Sequence, residues 1–135
     1  MLDLIKKVRE ELVADSTITD LVAERIYWGW KPVGNKSTDF PQITLLDTDG
    51  LTDSQFNTYF PELEIHIWTK GETKVTRANK IAERVLINID VAGFVNQTPC
   101  IYQIWKSNAV ELFEDDSQTL HKILTFNVVM QGYED

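Results

Sequence analysis

His66 and His121 are the two histidines of the chain, and with Cys100 they are the first side chains to test for catalysis. Neither has a serine, cysteine or aspartate at a spacing that makes a nucleophile and its base, and each is expected to be a solvated strand histidine. A two-histidine metal site would require their two strands to be neighbours. Cys100 is the single cysteine, so it makes no internal disulfide, which fits a reducing cytosol. Beside Ile101 and Tyr102 it reads as a buried structural thiol. Asp47-Thr48-Asp49-Gly50 has the alternating oxygens and glycine that begin a calcium loop, but Thr58 stands where such a loop needs its glutamate. Turn residues explain the stretch better. Glu114, Asp115 and Asp116 read as an exposed hairpin tip, where carboxylates titrate near ~4 and are poor proton carriers at neutral pH. The six glycines are dispersed, and none opens a helix after a strand as a phosphate cradle does. No catalytic residue, metal or cofactor is expected, and the chain is not expected to be an enzyme.

The elements that position these residues are legible from periodicity. In Glu62-Leu63-Glu64-Ile65-His66-Ile67-Trp68 the apolar residues Leu63, Ile65 and Ile67 face one way. Glu62, Glu64, His66 and Trp68 face the other, the pattern of a strand with one covered and one wet face. Thr69 to Glu72 breaks the pattern around Gly71. Val75, Ala78, Ala82, Val85 and Ile89 then recur at steps of three and four, one stripe of a helix. Upstream, Ile5, Val8 and Leu12 make the stripe of a helix over Leu2 to Ala14. A shorter helix follows, capped by Thr17 with Asp20 three residues on, or by Ser16. Arg25 to Trp30 reads as an aromatic-rich strand with Ile26, Trp28 and Trp30 on one face, and Pro41 to Leu46 as another. The polar stretches Lys31–Phe40 and Asp47–Asn57 read as loops. Asp90 to Gln97 turns the chain, Pro99–Trp105 and Ala109–Phe113 are strands, and Thr119–Gln131 is the long second arm of a hairpin. The expected class is α+β, one domain spanning 1–135, with helices packed on a mixed or mainly antiparallel sheet.

At 135 residues and 43% hydrophobic content the chain can bury a core. No apolar run approaches the ~20 residues of a membrane span, and the charged N-terminus lacks the order of a secretory signal. A net charge of −8 with no basic cluster argues against tight nucleic-acid binding. An acidic protein can still sit beside DNA that slides past it. Four tryptophans divide between core packing and a partner surface, since tryptophan is enriched at interface hot spots.

The layout resembles the tail completion family of long-tailed phages, which is distantly like the lambda-type tail terminator. The matching features begin with the N-terminal helix, then Thr17-Ile18-Thr19-Asp20-Leu21-Val22 and Arg25-Ile26-Tyr27. The proline-led strand Pro41-Gln42-Ile43-Thr44-Leu45 follows, then the alternating strand ending in Trp68, the helix around Ala78-Asn79-Lys80-Ile81-Ala82, and a C-terminal strand pair. The resemblance implies a structural virion protein without catalysis, forming a homo-oligomeric ring, a hexamer. Its partners are then the tail tube protein and the head connector or head completion protein, and DNA passes through without tight binding. The implied location is the head-proximal end of the tail in the virion, after synthesis in the bacterial cytoplasm.

Residues expected at the assembly interface are Trp28, Trp30, Lys31, Asp47, Asp49, Asp53, Arg77 and Arg84. The two polar stretches are expected to be mobile in the monomer and ordered on assembly. Charge reversal at Arg77 or Arg84 is expected to impair assembly more than folding. The alternative reading is a small cytoplasmic regulatory module that binds a peptide or small ligand in a Trp-lined groove.

Overall fold

A stripe of apolar side chains on three helices meets one face of a five-stranded sheet in a computed structural model. It describes residues 2–34, 36–53, 58–89, 101–114 and 118–131, of which 2, 3, 49–53, 101, 102 and 131 are described by backbone alone. The elements are α1 (Leu2–Val13), α2 (Ser16–Val22), β1 (Ile26–Trp28), β2 (Gln42–Asp53), β3 (Thr58–Lys70), α3 (Lys74–Ile89), β4 (Ile101–Phe113) and β5 (Thr119–Gln131). The fold is α+β. In the sheet the strands lie in the order β1-β2-β3-β5-β4. β1 runs parallel to β2, with Ile26 opposite Ile43. The other pairs are antiparallel, with Leu45 opposite Ile65, Ile65 opposite Leu124, and Leu124 opposite Ala109.

The alternation read in β3 sets the layers. Leu63, Ile65 and Ile67 are fully buried in a core with Leu4, Val8 and Leu12 of α1, Ile18 and Val22 of α2, and Leu124, Phe126 and Val128 of β5. Each such side chain taken from water contributes about 1.5–3 kcal/mol. Gly71, at φ +96°, turns the chain from β3 into α3 in a region that disfavours other residues. The α3 stripe is Ala78, Ile81, Ala82, Val85 and Ile89. Val75 was expected in it and instead is 45% exposed, because it sits in the first turn, ahead of the stretch that lies on the sheet.

Four other expectations are corrected. Asp15, not Ser16 or Thr17, caps α2: its carboxylate accepts from the backbone N–H groups of Thr17 (2.8 Å) and Ile18 (3.1 Å). An aspartate is as good a cap as serine or threonine, and this one also gains partners from α3. Asp47 to Asp53 is not a loop but the second half of β2, paired through Asp53 opposite Thr58, with a register shift between Thr48 and Leu51. Backbone pairing needs only free N–H and C=O groups, whereas alternation reports burial, and Asp47 and Thr48 are only half-buried. Pro99–Trp105 and Ala109–Phe113 are one strand from Ile101 onward, with a register shift between Lys106 and Asn108 that bends the strand without ending it. The strand expected over Arg25–Trp30 is only the three residues Ile26–Trp28, and at this sheet edge Ile26 is buried while Trp28 is exposed. The expected turn at Asp90–Gln97, Cys100, and Asp115 and Asp116 lie outside the described residues.

Candidate functional site

The second face of β3, expected to be wet, carries the least ordinary chemistry of the molecule. Alternation puts Glu64, His66 and Trp68 on it, and the β3–β5 register sets Trp68 opposite His121. Both histidines and Trp68 are buried, which corrects the expectation of solvated histidines. Trp68 stacks on His121 with ring centroids 3.5 Å apart, and its Nε1–H donates to Thr44 Oγ1 of β2 at 2.9 Å. His66 Nδ1 lies 2.6 Å from His121 Nε2. His66 Nε2 lies 2.9 Å from Glu64 Oε1, and His121 Nδ1 lies 3.0 Å from Glu114 Oε1. Four side chains on three segments thus form one hydrogen-bonded line, Glu64–His66–His121–Glu114. Glu114 is therefore not merely a solvated turn residue.

The segment between β1 and β2 covers one end of this face. Buried Gln42 fastens it: the amide nitrogen donates to the Val33 and Asp39 carbonyls (2.9 and 3.0 Å), and its oxygen accepts from Val33 N–H at 2.7 Å. Gln42 thereby ties Val33 and Asp39, two points of the stretch expected to order on assembly, to β2. Between that stretch and the array lies a cleft of about 410 Å³ lined by Trp30, Lys31, Phe40, Trp68, Glu114 and His121, among others. The Lys31 ammonium stands 4.5 Å from the centroid of the Trp30 ring, a cation–π contact.

Burial first, and then the neighbouring His66, push His121 down to about 4 from its ordinary 6.5. An unfolded chain protonates this imidazole as pH falls through 6.5, and the folded chain resists until about 4. Its contribution is present above pH 6.5 and lost as the pH falls toward 4. With solvent screening allowed for, the expected loss is about 2 kcal/mol. Urea denaturation at pH 7, 5 and 4 checks it, and His121→Gln should flatten that slope. An equal slope in the variant would mean other groups control it.

The expected interface residues come from β1 and the segment after it, from β2 and from α3. Trp30 and Lys31 line the cleft, and Trp28, exposed, lies at the β1 edge. Asp47 is half-buried in β2, and Asp49 and Asp53 belong to the same strand toward its hairpin end. Arg77 and Arg84 are on α3. Arg77 donates through one terminal nitrogen to the Lys70 carbonyl at 2.7 Å, and Arg84 donates twice to Asp15 Oδ2, at 2.6 and 2.9 Å. Both guanidiniums are used within the chain, so charge reversal there is expected to reach folding first. The other open feature is β4, an edge strand whose Trp105, Val110, Leu112 and Phe113 are exposed.

His66, Trp68, His121 and Glu114 were not foreseen as a group. The common face of His66 and Trp68 was readable, but the adjacency of β5 to β3 was not, because α3 and β4 intervene in sequence. Among the described residues no group of three or more His, Cys, Asp or Glu side chains is placed to hold a metal ion, and none of the helices is long and apolar enough to cross a membrane.

The fold and its open surfaces define an α+β domain with an exposed strand edge and an aromatic cleft. Family models give no match to this chain, and curated protein sequences give none. Among solved structures, a chain of the virion of a native gene transfer agent particle is similar, with a TM-score of 0.76 at 18% identity. The match covers 96% of this chain and 95% of that one. What the two share at that identity is the fold.

Proposed function

We propose that this chain is a structural virion protein of a phage or phage-like particle that completes or terminates the tail and joins it to the head connector. The observation that carries this is the near end-to-end likeness to a chain of a gene transfer agent virion. It acts by assembling, as a homo-oligomeric ring of six, with the tail tube protein on one side and the head connector or head completion protein on the other. DNA passes through the hole without tight binding, in keeping with the net charge of −8. A ring needs two different, mutually complementary surfaces on each subunit. The β4 edge supplies one, with backbone groups that no other described strand pairs and four exposed apolar side chains. Trp28 and Trp30 beside the opposite edge supply the other, with Lys31, and the β2 acids Asp47, Asp49 and Asp53 extend the contact. Arg77 and Arg84 are left as supports of the fold behind it.

Electron microscopy of the protein mixed with tail tubes from a mutant lacking it, with native mass in parallel, tests the role. Rings capping one tube end, and tails made competent to join filled heads, are the expected result. A persistent monomer that never touches the tubes overturns it. That outcome would favour a ligand-binding module, for which the cleft between Trp30, Phe40 and Trp68 is the specific observation. Leu112→Asp and Phe113→Asp are expected to leave the melting temperature within about 3 °C of the parent. Ring yield should fall at least tenfold, as read by native mass. Rings at parental yield would remove β4 from the contact.

A further inference from the structure

The line Glu64–His66–His121–Glu114 has a proton count that its geometry fixes. It contains three close polar contacts, at 2.9, 2.6 and 3.0 Å. Each is a hydrogen bond only if one hydrogen lies between its two heavy atoms. Ionised carboxylates bring none, and a neutral imidazole brings one N–H. Two neutral histidines therefore supply two hydrogens for three contacts. Without a third, one of the three contacts fails: either His66 Nδ1 and His121 Nε2 meet as bare lone pairs, or one end faces its carboxylate without a hydrogen. At 2.6 Å two lone pairs in a buried site repel strongly.

We infer that this array is a proton-binding site that at neutral pH holds one proton more than two neutral imidazoles carry, and that the proton clasps the β4–β5 turn to the middle of β3. The hydrogen positions follow from the chain of donors. His66 donates through Nε2 to Glu64 and through Nδ1 to His121, while His121 accepts at Nε2 and donates through Nδ1 to Glu114. His121 is the neutral ring of the two, consistent with its resistance to protonation down to about 4.

The surroundings suit one extra proton and not two. β2 brings Gln42 and Thr44 to this face, neither of which titrates. β3 brings Glu64 and, further along, Glu62 at one end and Lys70 at the other, and β5 brings Thr119. The covering segment brings Lys31, with Asp39 occupied by the Lys36 N–H, and Glu114 closes the far end of the line. Both imidazoles are buried, and the Trp68 ring lies over His121. Loss of the proton removes one of three bonds from the line and loosens the clasp.

Long-range nitrogen–proton NMR of the two rings across a pH titration tests this. The expected spectrum at pH 7 shows one ring protonated at both nitrogens and the other at Nδ1 alone, with the extra proton leaving in a single step shared by both rings. Glu64→Gln removes the adjacent negative charge but keeps an acceptor, and should lower the pH of that step by about one unit, with the amide spectrum otherwise unchanged. Two neutral rings at pH 7, or two independent titrations near the ordinary ~6.5, would overturn the inference. So would a step that Glu64→Gln leaves in place.

Discussion

Replacing Asp15 with alanine is expected to lower stability by about 3 kcal/mol. The buried carboxylate ends α1's connection, caps α2, and is gripped from α3 by Arg84 and by the Asn88 side-chain amide at 2.6 Å. Losing the cap costs about 1 kcal/mol. Breaking a buried ion pair costs about 3–5 kcal/mol, less here because the Arg84 side chain is 37% exposed and regains water. Burial on its own would raise the Asp15 pKa. The hydrogen bonds from Asn88, Arg84 and the Ile18 N–H, with the charge of Arg84, outweigh it and hold the carboxyl below its ordinary 3.8. A lowered carboxyl pKa contributes stability that is full above 3.8 and disappears as pH falls through the folded value. Thermal denaturation at pH 7 should show a drop of about 10 °C for Asp15→Ala. Asp15→Asn, which keeps the cap and loses the charge, should give about half. A change below about 1 kcal/mol in the alanine variant would mean that the three helices do not depend on this junction.

Trp68→Ala should cost about 4 kcal/mol, in the range for large aromatic residues removed from cores. The indole fills the space between β2 and β5, lies on His121, and ties Thr44 through its N–H. Trp68→Phe keeps a ring on His121 and gives up the Nε1–H donation, so a loss of about 1–2 kcal/mol is expected. The pair separates packing from hydrogen bonding. The alanine variant should also expose His121 to water and return its titration toward 6.5, visible by NMR. Equal losses in both variants would show that the N–H, and not the stack, holds this face.

The contrast between the two faces of the sheet explains what was legible in the sequence. Leu63, Ile65 and Ile67 announced a strand because burial against α3 demands alternation, and the same demand on Ala78, Ala82, Val85 and Ile89 announced the helix. Asp47–Asp53 gave no such sign: pairing between strands uses the backbone, which every residue has. His66 and Trp68 were assigned to water because polar neighbours on one face usually mean solvent. Here one end of that face is covered by a loop that the Gln42 side chain helps to fasten, and a side-chain amide mimicking a strand's N–H and C=O leaves no periodic trace. His121 and Glu114 needed the pairing of β5 with β3, a long-range fact absent from any local window. Arg84 was expected at the assembly interface, and its side chain is 37% exposed. Its partner lies 69 residues away.

The strand that completes the sheet arrives late in synthesis. β5 is the last of the described strands in sequence yet lies inside the sheet, between β3 and β4, with Lys70 paired to Thr119 across the whole of α3 and β4. As the chain leaves the ribosome, β1, β2, β3 and α3 precede it, so β3 keeps one open edge and Leu63, Ile65 and Ile67 keep one uncovered flank until β5 is added. Contacts so distant along the chain form slowly, and an apolar strand left waiting is where nascent chains stick to one another. A truncation that removes β5 should therefore produce aggregates in place of a smaller soluble domain.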